Sequence, residues 1–231
     1  MITLRKFKSA LAAIAVLLLA APFAQAEEEA GFRPLFDGKT LNGWVQRAGK
    51  AKYAVEDGAV VGTTVLGTPN SFLCTDRDYG DFILELEFKV DPEMNSGVQI
   101  RSEYTAEEKK LDTTRSGKPV TVPANSVYGY QVEIDPSKRA WTGGIYDEKR
   151  RAWINDLEGK TEARKAFKQN EWNKFRVECR GDSIKTWING VPAADLKDGM
   201  TPKGFIALQV HATKKPEPME VRWRNIKIKE L

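Results

Sequence analysis

Apolar residues recur at every second position through most of the chain, in runs of about four to eight residues separated by clusters of Gly, Pro, Asn or Asp. Helical periodicity is nearly absent. In Phe82–Val90 the residues Phe82, Leu84, Leu86 and Phe88 fall on one side of an extended chain, and Ile83, Glu85, Glu87 and Lys89 on the other. That alternation describes a strand with one core face and one polar face. The same pattern predicts strands near residues 53–61, 72–75, 98–103, 128–134, 175–180, 184–188, 205–211 and 221–229. Asn189-Gly190 is the clearest hairpin turn, since both residues tolerate positive φ. Two stretches lack periodicity and are expected as long loops: residues 105–125, and residues 136–170 with a short helix over 161–167. Regular one-sided strands imply two stacked antiparallel sheets, an all-β sandwich or jelly roll.

Length and the N-terminal pattern set the boundaries of that domain. Arg5, Lys6 and Lys8 precede an apolar run over residues 10–21, and Ala24-Gln25-Ala26 follows. A run of roughly a dozen apolar residues is too short to span a bilayer and fits a secretory signal peptide, with cleavage expected after Ala26 and a periplasmic or secreted destination. Residues 27–231 then form a single domain, with no internal repeat, low-complexity tract or linker. Removing the leader lowers the formal net charge from +4 to +1. The charge therefore gives no electrostatic case for nucleic-acid binding, or for membrane binding after cleavage. Cys74 and Cys179 are compatible with one disulfide in an exported chain, or with two buried small side chains. Cys and His show no metal-site spacing.

Candidate chemistry lies on the polar faces of the strands. Gln131, Glu133 and Asp135 share one face, with neighbours ~6.6 Å apart. Gln99, Arg101 and Glu103 align similarly, Gln209 points with His211, the only histidine, and Glu85 and Glu87 complete the set. Short amides and paired carboxylates are the groups that bind sugar hydroxyls through bidentate hydrogen bonds. Sugar rings also stack on aromatic faces, and the segment after Asp135 supplies Trp141, Tyr146 and Trp153, with Arg139, Arg150 and Arg151 interspersed.

Several blocks, in order, carry a resemblance: Leu35-Phe-Asp-Gly-Lys-Thr-Leu-Asn-Gly-Trp44, Asn95-Ser-Gly-Val-Gln-Ile-Arg101, Tyr128-Gly-Tyr-Gln-Val-Glu-Ile-Asp135, Gly144-Ile-Tyr146, Glu171-Trp-Asn173, Trp187-Ile-Asn-Gly190, residues 204–211 and Arg224-Asn-Ile-Lys-Ile-Lys-Glu-Leu231. Together they resemble the 3-keto-disaccharide hydrolase family. The resemblance implies a concanavalin A-like jelly roll and cleavage of a glycosidic bond in a sugar oxidised at C3. A C3 ketone acidifies the C2 proton, so a base can form an enolate that expels the C1 substituent before water adds. On the matching positions it implies Glu133 or His211 as base or acid and Arg101 as the cation facing the enolate oxygen. Gln131, Asp135 and Gln209 would be hydroxyl ligands. From the residue pattern rather than the resemblance, Glu87 on its polar strand face and Trp141 and Tyr146 as stacking rings are also expected against the sugar. No cofactor is required, although a divalent cation held by His211 and a carboxylate is an alternative electrophile to Arg101. Two-carboxylate hydrolysis is disfavoured because position 138 is Lys, where a laminarinase-like strand carries a third carboxylate. The competing class is a non-catalytic carbohydrate-binding domain that uses the same face with Trp141 or Trp153 as stacking platforms.

Overall fold

The computed structural model describes residues 31–112 and 119–231, so the expected leader over residues 1–26 lies outside the described residues. In chain order the strands are β1 (Arg33–Pro34), β2 (Trp44–Arg47), β3 (Lys52–Glu56), β4 (Ala59–Thr63), β5 (Ser71–Thr75), β6 (Phe82–Val90), β7 (Ser96–Thr105), β8 (Lys109–Leu111), β9 (Val120–Val122), β10 (Ser126–Ile134), β11 (Ile145–Glu148), β12 (Ala152–Asn155), β13 (Asn173–Arg180), β14 (Ser183–Ile188), β15 (Val191–Lys197), β16 (Phe205–Val210) and β17 (Glu220–Glu230). One short helix, α1 (Thr161–Ala166), packs beside β15 and β14. No helix among the described residues is long and apolar enough to cross a membrane.

Apart from the separate β8–β9 ribbon, the strands form two antiparallel sheets stacked as a jelly-roll sandwich. One runs β15-β14-β13-β6-β17-β4-β3, with β1 added on β17, and the other runs β12-β11-β10-β7-β16-β5-β2. The alternation decides which side of each strand is dry. Phe82, Leu84, Leu86 and Phe88 of β6 meet Tyr130, Val132 and Ile134 of β10 and Ile206, Leu208 and Val210 of β16 in one core between the sheets. Full burial of each large side chain contributes about 1.5–3 kcal/mol, so this shared layer is the main source of stability.

Four expectations change. Residues 53–61 are two strands, because Asp57 and Gly58 both adopt positive φ and turn the chain between β3 and β4. The stretch 136–170 contains β11 and β12, and 105–125 contains the β8–β9 ribbon. Strands of three or four residues show too few alternations to be read, and their pairing is imposed by neighbours. The disulfide alternative is not formed: both cysteines are free, Cys179 in the inter-sheet core and Cys74 in a small apolar cluster with Phe72, Val127, Phe205 and Ala207. Burial pushes each thiol up to about 12.

The fourth change concerns β7. Its pairing with β10 runs Ile100 opposite Tyr130 and Glu103 opposite Tyr128, so Arg101 and Ser102 together face Gly129. This β-bulge is one residue out of step, and Arg101 sits at φ 45°. The bulge reverses the side of the sheet on which Arg101 would otherwise point. Its guanidinium is fully buried, with Nε donating to Gly80 O at 2.8 Å, Nη1 to Gly181 O at 2.7 Å and Nη2 to Asp81 Oδ1 at 2.8 Å. Arg101 thus ties the sheets together at one end.

Candidate functional site

On β10 the residues between the core-facing Tyr130, Val132 and Ile134 must point to the opposite side, which places Gln131 and Glu133 on the outward face of the seven-stranded sheet. Gln99 of β7 pairs with Gln131, and Gln209 of β16 lies opposite Gly97 of β7, so three glutamines meet across adjacent strands. Gly97 makes this convergence sterically feasible: a Cβ there would stand 2.5 Å from Gln131 Cδ. The Gln131 side chain lies flat over that bare backbone.

The amides form one directed network. Gln99 Nε2 donates to Gln131 Oε1 at 2.6 Å and Gln209 Nε2 donates to the same oxygen at 2.7 Å. Gln131 Nε2 donates to Glu133 Oε2 at 2.8 Å, and Asn95 Nδ2 donates to Glu133 Oε1 at 2.5 Å. Glu133 is 4 % exposed. Burial raises its carboxyl to about 7, against the opposing pull of the Asn95 and Gln131 donors. Neutral amides can hold the carboxylate in place but do not supply the charge that would keep it a weak base.

Above this floor is a cleft of about 530 Å³ lined by Asn70, Asn95, Gln131, Glu133, Arg139, Tyr146, Glu148, Lys149, Trp153, Gln209 and His211. Tyr146 lies directly opposite Gln131 on β11, and its ring meets Trp153 edge-on at 5.3 Å. The Arg139 guanidinium carbon lies 4.8 Å from the rings of both Trp141 and Trp153. Glu148, on the same face of β11 beside Gly129, is a second buried carboxyl, raised by burial beyond the compensation from Lys149 and Asn70. His211 Nδ1 lies 2.8 Å from Ala212 O at the end of β16.

Gln131, Glu133, Gln209, Tyr146 and His211 are therefore brought together around one opening, and four other expected site residues are not. Arg101 is taken by the bulge. Asp135 lies past the end of β10, where its carboxylate caps the following turn: Ser137 N donates at 3.1 Å, Arg139 Nε at 2.7 Å and Trp141 N at 3.3 Å. Burial works against ionisation of Asp135, but Ser137 and Arg139 outweigh it and hold the group below the usual carboxylate range. Its effect on the cleft is indirect, through the placement of Arg139. Glu87 belongs to the other sheet, where Arg224 Nε donates to it at 2.6 Å. Trp141 packs against the core and backs Trp153, which takes the lining position.

Asn70, Asn95, Glu148 and Lys149 are the contributors not singled out from the sequence. Asn95 stands three residues before the in-phase Val98 and has no periodic signal, and Glu148 lies on a strand too short to be recognised. The turn that presents Glu148 is anchored from beneath, where Arg150 Nε and Arg151 Nε both donate to Asp147 and Arg151 Nη1 donates to Asp198. No group of three or more His, Cys, Asp or Glu among the described residues is placed to hold a metal ion.

Residues 31–229 match the family model described as the 3-keto-alpha-glucoside-1,2-lyase-like domain. No curated protein sequence matches the chain. Among solved structures, a protein from Parabacteroides distasonis named as a proposed glycosyl hydrolase is similar, with a TM-score of 0.53, 23 % identity and coverage of 87 % of this chain and 99 % of its own. A second from the same organism, named likewise, has a TM-score of 0.53, 18 % identity and coverage of 87 % and 94 %. A Bacillus subtilis protein of unknown function with a galectin-like fold has a TM-score of 0.58, 12 % identity and coverage of 86 % and 94 %.

Proposed function

The chain belongs to the 3-keto-alpha-glucoside-1,2-lyase-like domain family, and from that premise we propose that its cleft binds a 3-keto glycoside and breaks the bond to the aglycone by elimination. The observation that carries this reading is Glu133, a buried carboxyl on the cleft floor held by neutral amide donors and facing open space. As the carboxylate it takes the C2 proton. The C–H electrons form the C1=C2 bond as the C1–O bond breaks, by way of an enolate whose charge rests on the C3 oxygen. Arg139 is the cation that faces this oxygen, in the role first expected of Arg101. It is preorganised for that role by Asp135 and the two tryptophan rings. His211 and Glu148 line the cleft as sources of the proton that the departing oxygen needs. Addition of water to the resulting unsaturated ketone completes a net hydrolysis. Tyr146 and Trp153 offer the sugar an apolar wall. The basic leader and small-residue cleavage site support the reading of an exported protein that acts outside the cytoplasm.

The test is incubation of the purified protein with a panel of 3-keto glucosides, with and without chelator, across pH 5–9. Release of the aglycone by the wild type is expected. Binding without release at every pH and metal supply would transfer the reading to a carbohydrate-binding domain.

A further inference from the structure

The amide network on the cleft floor has a direction, and the direction leaves one atom over. Because both oxygens of Glu133 accept, Gln131 must turn its Nε2 toward the carboxylate and its Oε1 away. That oxygen then accepts from Gln99 and from Gln209, so Gln209 must turn its own Nε2 inward. Gln209 Oε1 is the consequence: a buried acceptor on a side chain with no exposed surface, lining the cleft and lacking a hydrogen-bond partner among the described residues. Leaving such a group unpaired is costly, and a ligand that donates to it recovers that cost as roughly tenfold in affinity.

We propose that Gln131 is a positioning residue that fixes Gln209 Oε1 as the acceptor of one sugar hydroxyl, so that the oxidised carbon of the ligand cannot occupy that position. A ketone oxygen has lone pairs and no proton, and against Gln209 Oε1 it would leave two acceptors facing each other. A hydroxyl donates and satisfies the orphan. The floor therefore distinguishes a carbinol from a carbonyl at one ring position, and the ketone lies on the Arg139 side of the cleft. This inference rests on the reading of the cleft as a 3-keto sugar site and adds the orientation of the sugar within it.

The experiment is calorimetric titration of the full protein with 3-keto-1,5-anhydroglucitol, which has no aglycone to expel, and with its 2-deoxy, 4-deoxy and 6-deoxy analogues. One analogue is expected to bind the wild type at least about tenfold more weakly than the parent, the loss of one hydrogen bond to a buried acceptor. Gln209→Met should bind that analogue and the parent equally. Gln131→Met, which frees the Gln209 amide to turn its Nε2 toward the ligand, should keep the preference for a hydroxyl over hydrogen but admit an acceptor that cannot donate. The deoxyfluoro analogue at that position, expected to bind the wild type at least about tenfold more weakly than the parent, should bind Gln131→Met to within about threefold of it, a change that general loosening of the fold would not confine to one analogue. If Gln209→Met does not fold, the wild-type panel and Gln131→Met still decide. A wild-type panel flat to within about twofold, or discrimination that survives in Gln209→Met, overturns this inference alone. Failure of the wild type to bind the parent sugar overturns the reading of the cleft and this inference with it.

Discussion

Glu133 and Glu85 each keep only 4 % of their surface exposed and each stands on the outward face of a sheet, but Glu85 lies under a thin cover of Lys174, Arg176 and Lys227 side chains whereas Glu133 is set deep in the protein. Their protons behave oppositely. Around Glu85 on the eight-stranded sheet, Lys174 Nζ and Arg176 Nη1 both lie at 2.7 Å and Lys227 Nζ at 3.4 Å. Burial opposes its ionisation, but Lys174 and Arg176 overcome that and hold the carboxyl below its usual range. Around Glu133 the immediate donors are neutral amides, Arg139 is engaged by Asp135, and burial prevails. A small exposed surface therefore does not by itself make a base: depth in the protein and the charge of the partners act together. A carboxylate near neutral pKa needs hydrogen bonds that orient it without cations that neutralise it.

The largest expected effect comes from removing the reactive member of the pair. Glu133→Gln keeps an oxygen for Asn95 and removes the proton acceptor, so turnover of a 3-keto glucoside should fall by about 10²–10⁴-fold while sugar binding persists. In the wild type the rate should rise with pH through about 7 as the carboxyl ionises. Stability should run the other way. The folded-state value is raised from the ordinary 4.5 to about 7, so the contribution of Glu133 to stability is full below the lower value and is lost as pH rises through the upper. The loss is on the order of 3 kcal/mol. Denaturant titrations at pH 5 and pH 8 should show the wild type losing stability over that interval relative to Glu133→Gln. Parallel profiles would mean that Glu133 ionises as an ordinary glutamate.

Much of this contrast was hidden in the sequence for identifiable reasons. The sandwich was legible because long strands such as β6 and β10 alternate faithfully, and in-phase Gln131, Glu133 and Gln209 fell opposite a clean apolar set. What alternation does not reveal is which sheet a strand joins, so it groups Glu87 with residues of the other sheet. It also assumes an unbroken pleat. One extra residue in β7 sent Arg101 to the far side, and the end of β10 turned Asp135 from a wall residue into a turn cap. Glu148 was invisible because four residues of β11 carry too little periodicity.

Arg101 extends the comparison to a cation. Its three acceptors all belong to the fold, so Arg101→Met should leave turnover of the folded protein unchanged while lowering stability by about 1–3 kcal/mol, the cost of leaving buried acceptors without a donor. A loss of turnover in fully folded variant would return Arg101 to the cleft chemistry.

Gly97→Ala tests whether the amide donors set the behaviour of Glu133. The added Cβ would stand 2.5 Å from Gln131 Cδ and 2.7 Å from Gln131 Nε2, so the amide must move. Overpacking should cost about 1–3 kcal/mol. Withdrawal of the Gln131 donor, which lowers the Glu133 value, should shift the acid limb of the rate profile to higher pH. An unmoved limb would show that Asn95 alone suffices to hold the carboxylate.

The smallest effect is expected at Glu85, and its sign is the sharper test. Lys174, Arg176 and Lys227 retain substantial contact with water, at 52 %, 34 % and 34 % side-chain exposure, so each pair contributes little and Glu85→Gln should cost only about 1 kcal/mol at neutral pH. Because the folded carboxyl is held below its ordinary 4.5, its contribution is present above that value and fades as pH falls through the folded one. Wild type and Glu85→Gln should therefore differ at pH 7 and converge in acid, the reverse of the Glu133 pair, with turnover unaffected. High salt should shrink the neutral-pH difference as well, since partly exposed pairs are screened. Convergence at neutral pH instead would show that three half-exposed cations do not outweigh burial, and that the two glutamates differ less than their partners suggest.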